Sequence, residues 1–239
     1  MIDGGLRGFP RSPFFVPLTC DPPDMNSAFD PTCRRCPRLA AFLDAVRLEE
    51  PGYFCRPVPP FGDPDARLLI VGLAPGKHGA NRTGRPFTGD HAGLLLYATL
   101  HKFGLASGGT STAADDGLEL LDTRITNAVK CLPPANKPLP FEIKLCNDFL
   151  RAELELSSSA RVILALGAIA HAAVLRACGL PSGAHRFAHA AEHSLNGDRV
   201  LLDSYHCSRY NTQTRRLTTV MFEGVIGRAR DLALAARPG

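Results

Sequence analysis

Cysteine spacing gives the first chemical signal in this chain. Cys33-Arg34-Arg35-Cys36 puts two thiols on one short turn, Cys131 follows an apolar run, and Cys146 sits in a helical stretch. Four thiolates hold either a cubane 4Fe-4S cluster or a zinc ion, and the residues alone leave both open. Four unrelated buried thiols are the structural alternative, because free cysteine packs well in cores. Cys20 and Cys55 remain substitute ligands, whereas Cys178 lies in an apolar helix and reads as packing.

Three further segments carry polar chemistry. The first, residues 72–90, is rich in glycine. Gly76-Lys77 has the look of a phosphate loop, but too few residues separate Gly72 from Gly76. His78 also stands where Ser or Thr would ligate magnesium, so a nucleoside-triphosphate site is not expected. The glycines instead let backbone amides approach a flat or anionic ligand. Phe87, among Pro86, Thr88 and Gly89, is either a hydrophobic plug or a stacking surface for a base. In the second segment, Asn127 ends a buried strand, with Lys130 and Asn136 nearby. A buried amide is costly unless paired; it suits the edge of a base or, more plainly, caps the following loop. The third segment holds His206 just past a buried strand, followed by Cys207, Ser208, Arg209 and Tyr210. Such a histidine can polarise a leaving group while its loop grips DNA. His78, His91, His185, His189 and His193 lack comparable company.

The chain has 239 residues and a formal charge of +4, from 27 Lys plus Arg against 23 acids. That excess is mild. Its loop members Lys77, Arg82, Arg85, Arg209, Arg215 and Arg216 suit a polyanion, with scattered solvated charge as the alternative. No segment approaches the ~20 apolar residues that span a bilayer, and the first residues lack the apolar stretch of a secretory signal. The expectation is a cytoplasmic protein without membrane contact. Eight cysteines there argue for metal over disulfides.

These residues must be positioned by alternating strands and helices. Residues 1–32 read as a Pro-rich arm, and residues 33–239 as one domain. Helical spacing covers 38–50, 92–103, 141–156, 168–178 and 217–236, the last with Met221, Val225, Ala229, Leu232 and Ala236 on one face. Apolar runs at 67–73, 123–129, 161–166 and 200–205 read as buried strands. Residues 106–117 read as a flexible loop, and 182–198 as another. The order implies an α/β fold with a parallel sheet covered on both sides and a ligand beyond the carboxyl ends of its strands.

Gly72-Leu73-Ala74-Pro75, the run from Asn81 to Asp90, Thr126-Asn127-Ala128-Val129-Lys130-Cys131 and Ser204-Tyr205-His206-Cys207-Ser208 resemble the signature segments of the uracil-DNA glycosylase superfamily. The resemblance is to its family 5, the iron–sulfur B-type enzymes. It implies a three-layer α/β/α fold with a central four-stranded parallel sheet. It also implies a 4Fe-4S cluster on Cys33, Cys36, Cys131 and Cys146. By matching position, Phe87 would stack on a flipped base, Asn127 would bond its edge, and His206 would stabilise the leaving uracil. Backbone at Gly72, Ala74 and Gly76 would line the pocket, and the loop with Ser208 and Arg209 would hold the duplex open.

Family 4 carries an acid where this chain has Leu73, so Asp90 becomes the carboxylate for orienting water, with Asn136 as helper. Arg215 stands where the resemblance leads one to expect glycine. The implied activity is hydrolysis of uracil and other deaminated bases such as hypoxanthine from double- or single-stranded DNA, by a monomer, without strand cleavage. A non-catalytic iron–sulfur DNA-binding protein and a zinc-stapled nucleotide module are the rival expectations.

Overall fold

A computed structural model describes Met1 and residues 29–235. Most of the expected N-terminal arm, with Cys20, and Ala236 lie outside the described residues.

The elements in chain order are α1 (Pro37–Glu49), β1 (Phe61–Gly62), β2 (Leu68–Gly72), α2 (Ala80–Thr83), α3 (His91–Lys102), β3 (Thr123–Asn127), α4 (Pro140–Leu156), β4 (Val162–Leu166), α5 (Ala168–Ala177), β5 (Glu192–Ser194), β6 (Val200–Ser204), α6 (Arg209–Gln213) and α7 (Thr219–Leu234). A 3-10 turn, Pro134–Asn136, precedes α4.

The sheet runs β1-β3-β2-β4-β6-β5. Its four central strands are parallel, as expected, and the short edges β1 and β5 are antiparallel additions. β5 falls inside the stretch expected to be a loop. Residues 106–117 form no helix or strand, apart from a single bridge between Ala106 and Leu120.

Alternation along the strands builds the two cores. Leu68, Ile70, Leu164, Leu166 and Leu202 face one layer, where Leu96 and Leu100 of α3 and Phe222, Val225 and Ile226 of α7 pack. Leu69, Val71, Ile163, Ala165 and Leu201 face the other, against Leu150 of α4 and Ala170 and Val174 of α5. Three layers result. The buried face of α7 is Phe222, Val225, Ile226, Ala229 and Ala233; Met221 and Leu232 lie at its half-buried margin, which shifts the expected stripe. No helix among the described residues is long and apolar enough to cross a membrane.

Register sets up the site. Gly72 at the end of β2 lies level with Asn127 at the end of β3, and Leu166 of β4 level with Ser204 of β6. All four parallel strands therefore finish along one rim.

Candidate active site

That rim opens into a cleft of about 660 Å³ whose lining includes Leu73, Ala74, Gly76, Phe87, Asp90, Asn127, Asn136, His206, Ser208 and Arg209. Segments far apart in sequence meet here.

Phe87 reaches the cleft through a strained backbone. Its φ of +54° is in the left-handed region that bulky residues rarely occupy. The fold holds it there: the Tyr97 hydroxyl donates to the Pro86 carbonyl at 2.7 Å, and any Cβ on Gly93 would collide with the Phe87 carbonyl. Behind it, Arg85 donates to Thr88 Oγ1 at 3.0 Å and Ser111 Oγ at 2.8 Å, and pairs with Asp116 at 2.5 Å. Arg85 is only 4% exposed, so it does not face DNA as the charge pattern suggested; it pins residues 111–116 behind the cleft. Burial pushes the Asp116 carboxyl up, but the Arg85 guanidinium and three backbone N–H groups outweigh it and the net displacement is downward.

The Phe87 and His206 rings lie 6.0 Å apart and 29° from parallel. Gly72 permits this arrangement without touching the cleft, because a Cβ there would overlap Asn127 Oδ1 and come within 2.6 Å of Phe87 Cζ. Asn127 is 3% exposed, and its Oδ1 has no hydrogen-bond partner; nor does the buried Nδ1 of His206. Two unpaired polar atoms beside an aromatic face form a ready-made recognition surface, since unpaired buried groups are costly until a ligand meets them. Burial pushes the His206 imidazole down to about 4, so it is neutral near pH 7. Its carbonyl accepts from Asn211 Nδ2 at 2.8 Å, which fixes the loop leading into α6.

Asp90 divides its two oxygens. Oδ1 accepts from Gly93 N at 2.8 Å and caps α3. Oδ2 faces the Gly76–Gly79 turn, so close that a Cβ on Gly79 would clash with the carboxylate. Burial pushes this carboxyl above its usual range, against the pull of the Gly93 and Ala92 amides. Asn136 sits exposed at the rim with φ +55°, Ser208 Oγ caps α6 by accepting from Asn211 N, and Arg209 is exposed beside it.

Two histidines that the sequence reading set aside line the cleft. His78 Nδ1 meets the Tyr53 hydroxyl at 2.8 Å, and His91 Nε2 meets Thr212 Oγ1 at 3.0 Å. His78 lies within the 72–90 segment and His91 directly follows it, so their place there was the available signal. Lys77 also lines the cleft, with Nζ 2.8 Å from Glu49; that hydrogen bond raises its pKa and keeps it an ammonium ion.

A family model of the uracil DNA glycosylase superfamily matches residues 59–229. The chain is 50% identical over 206 residues to the type-5 uracil-DNA glycosylase of Thermus thermophilus, covering 84% of this chain and 94% of that one. It is 44% identical over 201 residues to the type-5 enzyme of Pyrobaculum aerophilum, covering 82% and 87%. Similarity to the type-4 uracil-DNA glycosylase of Thermotoga maritima is 39% over 110 residues, covering 46% and 49%.

The chain belongs to the uracil DNA glycosylase superfamily.

In this superfamily member the thiols gather beside the cleft. Cys33, Cys36, Cys131 and Cys146 line one small cavity with Leu39, Val129 and Phe149. Cys36 directly precedes α1, Cys131 follows β3 by four residues, and Cys146 lies in α4. Burial pushes the Cys131 thiol up, with the other three thiols adding to the effect, and pushes Cys146 up to about 11. Four clustered thiols, Cys146 buried and the other three half-buried, fit a cationic centre that would hold them as thiolates. Cys55 is apart: its sulfur accepts from Asn81 Nδ2 at 3.5 Å and packs with Leu43, Val46 and Leu132.

Proposed function

We propose that this chain is a DNA glycosylase that hydrolyses the N-glycosidic bond of uracil in DNA. One observation carries the reading: Phe87, Asn127 and His206 share a cleft in which Asn127 Oδ1 and His206 Nδ1 are buried without partners. The target nucleotide leaves the duplex first, because its anomeric carbon is poorly accessible inside the stack. Phe87 stacks on the extruded base. Asn127 Oδ1 accepts the N3–H of uracil, a donor that cytosine lacks at that position. As the bond to the sugar breaks, negative charge grows on the base, and neutral His206 donates an N–H to it. Donors aimed at developing charge are the largest catalytic lever in such sites. Asp90, ionised, orients water from its Oδ2 and balances the positive charge on the sugar, with Asn136 at the rim as helper. Ser208 and Arg209 hold the opened duplex.

The pairing of two amines supports hydrolysis without strand cleavage. Lys130 Nζ is sealed between Thr126 and Glu153, 2.6 Å from Glu153 Oε1, and Lys77 is held as an ammonium ion by Glu49. Neither is a free nucleophile for the sugar.

Cys33, Cys36, Cys131 and Cys146 would hold a 4Fe-4S cluster, which supplies a structural staple between the start of α1, the end of β3 and α4. Leu73, half-buried in the cleft lining, makes that wall apolar and supports tolerance of other deaminated bases such as hypoxanthine. Residues 33–239 act as one catalytic unit, as a monomer.

The test is base release from a duplex with a single U·G pair. Free uracil with an unbroken abasic strand supports the reading. DNA binding without release overturns it in favour of a non-catalytic DNA-binding protein.

A further inference from the structure

On the far side of the sheet from Phe87, a second constellation brings together residues that sequence spacing keeps apart. His171 comes from the first turns of α5, His193 from β5 and Asp203 from β6. Their ligand atoms all lie within 4.8 Å of one another. His171 Nδ1 is 2.8 Å from Asp203 Oδ1, and His193 Nε2 is 3.1 Å from Asp203 Oδ2.

His171 is held on its other side as well. Its Nε2 is 3.1 Å from the His185 carbonyl, which can only accept, so the N–H is on Nε2. Nδ1 then meets the Asp203 carboxylate either through a proton of its own or, with that nitrogen bare, through a bound cation. The second is the arrangement of a metal-ligating histidine, which commonly donates its other ring N–H to a backbone carbonyl. Ligands at about 2.1 Å from one tetrahedral ion stand roughly 3.4 Å apart, so the nitrogen–oxygen separations of 2.8 and 3.1 Å need open only by a few tenths of an ångström to admit it.

We propose that His171 Nδ1, His193 Nε2 and the Asp203 carboxylate form a binding site for a divalent transition-metal ion of zinc-type N/O preference. The His171 and Asp203 side chains are 4% and 0% exposed, while His193 is 12% exposed and forms the entry. His185 stacks on His193 at 4.8 Å and closes the outer side. The ion would tie α5 to the β5–β6 hairpin, whose second strand leads into His206. Gly167, which opens α5, comes close to that histidine: its added Cβ would sit 3.5 Å from His206 Cβ.

The experiment uses the full chain with its thiol centre intact, dialysed against a chelator and titrated with Zn2+ by calorimetry, with thermal unfolding in parallel. The wild type is expected to bind Zn2+ and to unfold at a higher temperature with it. His193→Ala should weaken that binding at least about tenfold, the lower end of what losing even an outer partner of a metal site costs. His193→Gln keeps an amide donor toward Asp203 and so preserves the hydrogen-bonded role while removing the ligand; it should fold and lose the same binding. Zinc held by the thiols would persist in both variants. Failure of the wild type to bind Zn2+, or equal binding by the wild type and His193→Gln, overturns the metal site and leaves a proton-bridged His–Asp–His brace.

Discussion

At the scale of single residues, the cleft works through groups whose state is set by burial. Asp90 is the sharpest case, because it is both helix cap and proposed water-orienting carboxylate. Asn caps a helix about as well as Asp. Asp90→Asn should therefore leave the fold intact while kcat drops by about 10²–10⁴-fold, the contribution of a positioned base; steady-state kinetics with a thermal melt checks both. The wild-type pH profile has a definite sign. Asp90 acts ionised and its pKa is raised, so activity is full above that pKa and falls as pH drops through it, above the usual carboxylate range. His206 is pushed down to about 4, so its protonation contributes a further loss only near that pH. Phe87, Asn127 and His206 were legible in the sequence because each interrupts its setting: an aromatic among glycines, an amide ending a strand, a histidine just past one. Arg85 was misread because its partner Asp116 lies 31 residues on. The His171, His193 and Asp203 group had no spacing to announce it.

At the scale of elements, strand ends and turns decide whether those residues meet. Gly72→Ala would drive a methyl into Asn127 and Phe87, the two sides of the proposed base pocket. Uracil release should fall by more than about tenfold, with destabilisation of about 1–3 kcal/mol from overpacking, read by denaturant unfolding. Arg215 has φ +56° and is exposed, which supplies a physical reason for glycine there. Arg215→Gly relieves a left-handed cost of about 1–2 kcal/mol and adds chain entropy of about 0.5–1 kcal/mol to the unfolded state. A Tm gain of roughly 1–2 °C is expected, and loss of a cation should reduce the salt slope of DNA binding by about one. The four central strands were readable as apolar runs because both their faces are buried. β1 and β5, of two and three residues, are too short for any periodicity to register.

At the scale of the whole molecule, parallel strands end together, and three loops from that rim enclose one cleft while four thiols gather beside it. The layered architecture was readable from the alternation of elements; the edge strands and the exact face of α7 depended on packing partners remote in sequence. With Lys130 and Lys77 both ion-paired, borohydride should trap no protein–DNA adduct on uracil-containing duplex, and a stable adduct would mean that a free amine reaches the sugar. The most direct measurement of the central claim is single-turnover uracil release from a U·G duplex by wild type and His206→Ala, with duplex Kd determined for both. A rate loss of about 10²–10³-fold with Kd nearly unchanged is the result predicted for a donor aimed at the departing base; undiminished release by His206→Ala would contradict the account.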